Sequence, residues 1–135
     1  MKQHVFRLHK GDDLLESIAG YCKEHAIDAG FAACCVGCVD QAKIRSADGH
    51  TVHALRERLE IVSLTGTVSR NRCHLHIALA REDLSVIGGH LCAGCLVNTT
   101  AEVVLSQLDS ICFSKVFDPA TGYNELLIDR NTEMP

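Results

Sequence analysis

A chain of 135 residues is short enough to form one domain and long enough to bury a core of its own. Its 13 Lys and Arg against 17 Asp and Glu exclude a generally basic surface for nonspecific phosphate contacts, although a local basic patch stays compatible with them. No apolar run approaches the roughly 20 residues of a membrane span, and the first residues lack the apolar core of a signal peptide. We therefore expect a cytoplasmic protein with no membrane partner, whose eight cysteines stay reduced.

The first half of the chain predicts a strand, a helix and a hairpin. Residues 5–8 form a short strand pattern. Asp13, followed by Glu16 three positions later, is typical of a helix start, and apolar residues then recur at helical spacing until about 25–27. The small apolar residues of 31–39, continued by 42–45, predict a buried strand. Asp48-Gly49 is a hairpin signal, with 51–55 as the returning strand.

The second half predicts mainly strands. Residues 60–68 are rich in β-branched side chains, and 73–80 alternate in polarity. A short strand at 85–87 is expected to end in a Gly88-Gly89-His90 turn, followed by separate strands at 95–98 and 102–108. Residues 112–117 and 123–128 predict a terminal hairpin, and 131–135 a flexible tail. The fold class is thus α+β, one domain over 1–135, with a mainly antiparallel sheet and one or two flanking helices.

The alternating strand at 73–80 carries the best candidate for chemistry. One face is apolar, and the other presents His74 and His76 beside two alanines. Both imidazoles can reach one ion, and His90 could complete a three-histidine set that leaves an open position, as in catalytic zinc sites. The alternative is that these imidazoles donate to backbone carbonyls or stabilise subunit contacts. The candidate metal ligands are therefore His74, His76 and His90, with zinc as the expected ion.

Two carboxylates nearby in sequence are candidate catalytic groups. Glu60 and Glu102 could orient a ligand histidine or act as a general base on metal-bound water. For Glu60, the alternative is an ion pair with Arg58 or another arginine that fixes a sheet edge or a subunit contact.

Two Cys-x-x-Cys motifs form a second candidate metal site, at Cys35 and Cys38 and at Cys92 and Cys95. They lie much farther apart than the two halves of a zinc ribbon. Cys35 and Cys38 would also face opposite sides of a strand, where cysteine serves as a small apolar residue. A redox role for Cys92 and Cys95 is the alternative.

Four arginines are candidates for contact with DNA: Arg56, Arg58, Arg70 and Arg72. Self-association would multiply such a patch and concentrate its charge. The alternative places these side chains in solvated turns or in ion pairs between subunits.

Several motifs resemble the PPC domain, the plant and prokaryote conserved domain, in its stand-alone prokaryotic branch. They are Arg7-Leu8…Gly11-Asp12-Asp13-Leu14, Glu60-Ile61-Val62-Ser63-Leu64-Thr65-Gly66, His74-Leu75-His76-Ile77, Gly88-Gly89-His90-Leu91…Gly94-Cys95, Thr99-Thr100-Ala101-Glu102-Val103 and Asp118…Thr121-Gly122-Tyr123. The resemblance implies a largely antiparallel sheet with a flanking helix and a homotrimer. It also implies the family's DNA-binding label, which owes much to plant members fused to AT-hooks. This sequence has no Arg-Gly-Arg-Pro AT-hook to enter the minor groove.

Two function classes follow. The first is a DNA-associated regulatory or architectural protein that also carries the three-histidine metal site. The second is a metal-dependent enzyme, of the hydrolase or lyase class, that acts on a small molecule beside the metal.

Overall fold

The computed structural model describes residues 1–130, which form one helix and nine strands. In chain order the elements are β1 (Lys2–His9), α1 (Leu14–Glu24), β2 (Gly30–Arg45), β3 (Val52–Leu55), β4 (Leu59–Val68), β5 (Cys73–Ala80), β6 (Val86–Leu91), β7 (Leu96–Gln107), β8 (Ile111–Asp118) and β9 (Tyr123–Arg130). The strand pairings are antiparallel, which confirms the predicted fold class. The tail predicted at 131–135 lies outside the described residues.

Helix α1 begins as its capping residues predict. The Asp13 carboxylate accepts a hydrogen bond from the backbone N–H of Glu16 at 3.0 Å, which satisfies one of the unpaired donors of the first turn. Its second oxygen accepts from the N–H of Gly94 at 2.6 Å, so the helix start is also fixed to the loop before β7. Leu14, Ile18 and Cys22 recur every fourth position and are fully buried against the sheet.

The main sheet has the strand order β1-β7-β2-β4-β5-β6, with β3 paired to β2. Strand β6 also returns to β2, where Ile44 is opposite Leu91 and Arg45 is opposite His90. Strands β2, β4, β5 and β6 therefore form a closed ring of pairings, and β5 and β6 lie next to the end of β2.

The core lies between α1 and the inner face of this sheet. It consists of aliphatic side chains and three buried cysteines, with no aromatic ring among its fully buried members. Burial of that apolar area is the main stabilising contribution to the fold.

The terminal hairpin forms a separate two-stranded sheet of β8 and β9, as predicted. It is anchored at Phe113, whose side chain is buried and whose N–H donates to the carbonyl oxygen of Asp28 at 2.9 Å. The carbonyl oxygen of Phe113 accepts from the Asn71 side chain at 3.3 Å. This anchor carries the start of β9 towards the end of β2.

Two predictions about local structure were wrong. Gly88-Gly89-His90 is not a turn but the interior of β6, because both glycines are needed where β6 passes close to two other strands. Residues 95–98 and 102–108 are not separate strands: Leu96–Gln107 is one strand, held along its length by β1 and β2. The polar residues Asn98-Thr99-Thr100 suggested a break between two strands. Pairing with β1 on one side and β2 on the other keeps this segment within a single strand.

Candidate metal centre

The side chains of β5 alternate between the core on one face of the strand and the candidate site on the other. Leu75, Ile77 and Leu79 are buried, whereas His74 is half-buried and His76 is exposed. Because successive side chains of a strand point to opposite faces, the two imidazoles share the face away from the core. The face assignment predicted from the sequence is confirmed.

Strand pairing brings the third imidazole to the same place. In the register of β5 and β6, His76 is directly opposite His90. Close packing of β6 depends on the two glycines before His90. A Cβ on Gly88 would lie 2.4 Å from the carbonyl oxygen of Ile77, and one on Gly89 would lie 2.7 Å from that of Arg45.

The three histidines form a compact cluster, in which one ring nitrogen from each lies within 4.8 Å of the others. Their ring centroids are 5.1 Å (His74 to His76), 5.2 Å (His74 to His90) and 5.5 Å (His76 to His90) apart. A zinc ion bound at about 2.0–2.1 Å would place tetrahedral nitrogen ligands roughly 3.3 Å apart. Small rotations of the side chains are enough to close that difference, so the set fits a divalent ion.

The cluster is electrostatically suited to neutral imidazoles. Burial lowers the pKa of His90 to about 4, helped by the positive charges of Arg45 and Arg72 and by the other two imidazoles. Burial and the Arg72 charge also lower the pKa of His74. Among the residues described, Nδ1 of His90 is buried and has no hydrogen-bond partner. Neutral imidazole with a free lone pair is the form that binds metal.

One contact competes with metal binding. A terminal nitrogen of Arg72 lies 3.2 Å from Nδ1 of His74. Because a guanidinium can only donate, Nδ1 must be the acceptor, and a neutral His74 then carries its proton on Nε2. In this arrangement Nδ1 accepts from Arg72 and Nε2 carries the proton, so neither nitrogen of His74 has a lone pair available for a metal ion. For His74 to become a ligand, the Arg72 contact must be released.

A pocket of about 420 Å³ opens beside the cluster. Its lining comes from β2, β5, β6, β9 and the β2–β3 and β4–β5 turns: Arg45, Gly49, Arg72, Cys73, His74, His90, Tyr123, Asn124 and Glu125. The start of β9 forms one wall of the pocket. The contacts that hold the terminal hairpin at Phe113 therefore also position this wall. A ligand in this pocket would lie directly against two of the three imidazoles.

The two candidate carboxylates lie elsewhere in the chain. Glu60 is opposite Ala80 of β5, four residues along from His76, or about 13 Å at the usual rise of a strand. Glu102 is on β7, which β2 and β4 separate from β5, and it is opposite Arg7 of β1. Within one chain the structure brings neither to the histidines. A catalytic role for either stays a prediction.

The four candidate arginines do not form one free patch. Arg58 contacts Glu82 at 3.3 Å and Arg70 contacts Asp28 at 2.6 Å, so the expected pairing of Arg58 with Glu60 is replaced by one with Glu82. Arg56 is exposed beside Asp40 and Glu57. Arg72 alone points into the histidine pocket.

The Cys-x-x-Cys motifs have a different environment. Cys35 and Cys95 are 6% and 0% exposed, and burial raises the pKa of the Cys35 thiol to about 12 and that of Cys95 to about 11. The Cys95 sulfur accepts from the N–H of Lys43 at 3.3 Å and donates to its carbonyl oxygen at 3.5 Å. Within residues 1–130, only the three histidines form a cluster with metal-ligand geometry.

Residues of the pocket that were not recognised from the sequence include Arg45, Tyr123, Asn124 and Glu125. Arg45 is far from the histidines in sequence and reaches them only through the pairing of β2 with β6. The other three depend on the docking of the terminal hairpin. The one available signal was Tyr123, which follows the Asp118–Gly122 turn directly.

A mainly antiparallel sheet with one flanking helix defines a small β-rich domain, and it carries a three-histidine cluster at an open pocket. The chain belongs to the Plants and Prokaryotes Conserved (PCC) domain family, which matches residues 1–109. The resemblance seen in the sequence motifs is thereby confirmed.

Solved structures share this fold over nearly the whole chain. A Salmonella cholerae-suis protein described as hypothetical is 29% identical, with a TM-score of 0.92 over 96% of this chain and 94% of that one. A metal-containing protein from Archaeoglobus fulgidus is 31% identical, with a TM-score of 0.81 over 94% of each chain. A Bacteroides thetaiotaomicron protein whose description proposes DNA binding is 25% identical, with a TM-score of 0.82 over 92% of this chain and 90% of that one.

Among curated proteins, the bifunctional protein GlmU of Synechococcus sp. (strain JA-3-3Ab) is 40% identical over 133 residues, which is 98% of this chain. The chain spans about a fifth of the length of the curated relatives it matches, at 21% and 20%. Separately, no helix within residues 1–130 is long and apolar enough to cross a membrane.

Proposed function

We propose that this protein is a metal-binding member of its family that holds a divalent ion, zinc, through His74, His76 and His90. The observation that carries the proposal is the convergence of three imidazoles from two paired strands at the mouth of a pocket. Three protein ligands leave one position of a tetrahedral ion free, which is the arrangement of catalytic rather than structural zinc. The Archaeoglobus fulgidus relative, described as metal-containing, supports the same assignment.

The activity that such a site supports best is chemistry on a small molecule in the adjoining pocket, of the hydrolase or lyase class. A bound zinc ion would supply Lewis-acid polarisation or an activated water. The chain itself contributes three imidazole ligands and two nearby guanidinium groups, those of Arg45 and Arg72. Cytoplasmic location remains part of this proposal.

Metal analysis of protein purified without a histidine tag tests the assignment. We expect about one zinc ion per chain, and a tetrahedral absorption spectrum when cobalt replaces zinc. His76→Ala should lose the ion, whereas His9→Ala, which removes an exposed imidazole distant from the cluster, should keep it. Tag-free protein that contains no metal and takes up neither zinc nor cobalt would contradict the proposal.

A homotrimer is the assembly we propose. Val5, Val36 and Val62 are 72%, 56% and 54% exposed on β1, β2 and β4, and contact between copies would cover them. Light scattering should give the mass of three chains, and Val36→Glu should lower it, while Val52→Glu on β3 should not. A wild-type protein that stays monomeric at tens of micromolar excludes the trimer.

DNA binding is the second candidate, favoured by the description of the Bacteroides thetaiotaomicron structure. Arg58 and Arg70 are engaged in ion pairs and Arg72 lines the histidine pocket, so Arg56 is the most accessible of the four candidate arginines in one chain. Binding to duplex DNA should be measurable at about 50 mM salt and weaken steeply as salt rises, because phosphate contacts release counterions. Failure to bind at that low salt would remove this candidate.

A further inference from the structure

We infer that the pocket beside the three histidines binds a small molecule carrying an oxyanion, a carboxylate or a phosphate, through Arg45 and Arg72. The inference rests on the proposed function in one respect only, which is that the bound metal would lie against the same ligand. The two arginines and the pocket are properties of the chain itself.

Arg45 is the first observation. It is half-buried at the end of β2, beside His90, and it lines the pocket. Its Nε is fully buried, and among residues 1–130 it has no hydrogen-bond partner. A guanidinium donor left unpaired in a buried position is costly, and a ligand acceptor that meets this guanidinium when it turns towards the pocket would offset that cost.

Arg72 is the second observation. It is also half-buried and lines the same pocket, where its only described side-chain partner is Nδ1 of His74. That contact must break when His74 binds metal, which leaves the guanidinium beside the ion without an acceptor. A planar guanidinium matches the two oxygens of a carboxylate or a phosphate, and such pairs are among the stronger hydrogen bonds in proteins.

The charge balance of the pocket also favours an oxyanion as the ligand. Two guanidinium groups line it, and Glu125 is the one carboxylate in its lining. Glu125 is also engaged by the turn of its own hairpin, since it accepts a hydrogen bond from the Thr121 hydroxyl at 2.9 Å. The remaining positive charge, increased further by a divalent ion, favours an anionic ligand over a neutral or cationic one.

The wall formed by Tyr123 and Asn124 limits the size of that ligand. Both belong to the start of β9, and the Tyr123 hydroxyl reaches the β2–β3 turn, where a Cβ on Gly49 would lie 3.2 Å from it. A volume of about 420 Å³ suits a small metabolite rather than a nucleic acid.

Isothermal titration calorimetry with three probes tests the inference. Succinate and inorganic phosphate represent the two oxyanions, and succinamide is the neutral analogue of succinate. Each probe is titrated into zinc-loaded and into metal-free protein. We expect at least one oxyanion to bind, with succinamide at least tenfold weaker than succinate if the carboxylate is preferred. The tighter of the two oxyanions identifies the ligand class.

Matched variants separate the arginine site from general electrostatics. Arg45→Gln and Arg72→Gln should each weaken oxyanion binding at least tenfold, while Arg56→Gln, the same change at an exposed arginine outside the pocket, should leave it unchanged. Arg45→Lys keeps the charge without the planar fork and should give an intermediate affinity. It also covers the case in which Arg45→Gln does not fold, which circular dichroism would reveal.

The outcomes for metal and for anion are distinguishable. Protein that binds zinc but neither oxyanion overturns this inference and leaves the proposed metal site intact. Protein that takes up no metal yet binds an oxyanion in an Arg45-dependent manner overturns the metal site and supports the inference. Equal weakening by Arg45→Gln and Arg56→Gln also overturns the inference, because the effect would then be one of net charge.

Discussion

The histidine cluster and the two Cys-x-x-Cys motifs both contain residue types that bind zinc, yet only the histidines are arranged as ligands. His74 and His76 share the outer face of β5, and the pairing with β6 brings His90 opposite them. The cysteines have the more familiar sequence spacing, but Cys35 and Cys95 point into the core. Side-chain direction and strand register, rather than spacing along the chain, therefore decide which set can meet at one ion.

Protonation reinforces this difference. Burial lowers the pKa of His90 and so keeps it neutral, which is its metal-binding form. Burial raises the pKa of the Cys35 and Cys95 thiols and so keeps them protonated, which is not the metal-binding form of cysteine. The same physical cause, loss of hydration, prepares one set for coordination and disables the other.

The largest expected effect comes from removing a histidine ligand. His90→Ala should reduce zinc affinity on the order of hundredfold or more, because a two-ligand site holds the ion weakly. Cys38→Ser, a comparable change in the other candidate set, should leave the affinity unaltered. Competition with a zinc-sensitive dye measures both. If the cysteine change releases zinc and the histidine change does not, the assignment of the two sites is reversed.

The next effect concerns thiol reactivity. Cys34 is exposed, whereas its neighbour Cys35 is buried and has a pKa raised to about 12. Because the thiolate is the reactive species, brief treatment with iodoacetamide at pH 8 should label Cys34 at least a hundredfold faster than Cys35 or Cys95. Peptide mass spectrometry reads out the three positions. Comparable labelling of all three would mean that the core opens readily or that the thiols are not buried.

A smaller effect tests how the third histidine is brought into place. Gly88→Ala would put a Cβ 2.4 Å from the carbonyl oxygen of Ile77, so β6 must shift away from β5. We expect a loss of about 1–3 kcal/mol in the free energy of unfolding, together with weaker metal binding. Urea denaturation measures the first quantity.

Helix α1 offers the matched control for that glycine. A Cβ on Gly20 would meet no heavy atom within 4 Å, so Gly20→Ala should stabilise the protein by roughly 0.5–1 kcal/mol. If both alanine variants are equally stable, the close approach of β5 and β6 is not a constraint.

The smallest expected effect is a gain. Arg72→Ala removes the hydrogen bond to Nδ1 of His74 and a nearby positive charge, so zinc affinity should rise by several-fold to about tenfold. Arg70→Ala, two residues away and paired with Asp28, is the control and should change nothing. A fall in zinc affinity for Arg72→Ala would show that this arginine supports the metal site instead of competing with it.

Much of the fold could be predicted from the sequence because its signals are local. Polarity alternation along 73–80 located β5 and assigned its faces, and Asp13 with Glu16 located the start of α1. The order of the strands could not be obtained in this way. Pairing of β2 with β4, β6 and β7 joins residues that are distant in sequence, and no single segment encodes it.

The same distinction between local and long-range signals applies to the residues of the candidate site. The three histidines were found from side-chain facing and from the family resemblance, although His90 was assigned to a turn and lies within β6. Arg45 and Glu125 were missed because each reaches the pocket through a long-range contact, one through β6 and the other through the hairpin anchor at Phe113. Arg72 was named only as a candidate DNA contact, because a position beside a turn gives no indication of which way a long side chain points.

Strand β2 is the element that connects these regions, since four other strands pair with it along its 16 residues. Its first half carries Val36 on the outer face, and its last residue, Arg45, lines the pocket about 30 Å farther along the strand at the usual rise per residue. Fraying of any one neighbour leaves β2 bonded to the others. Its amide hydrogens should consequently be among the slowest to exchange with deuterium, and they should exchange at the rate of global unfolding.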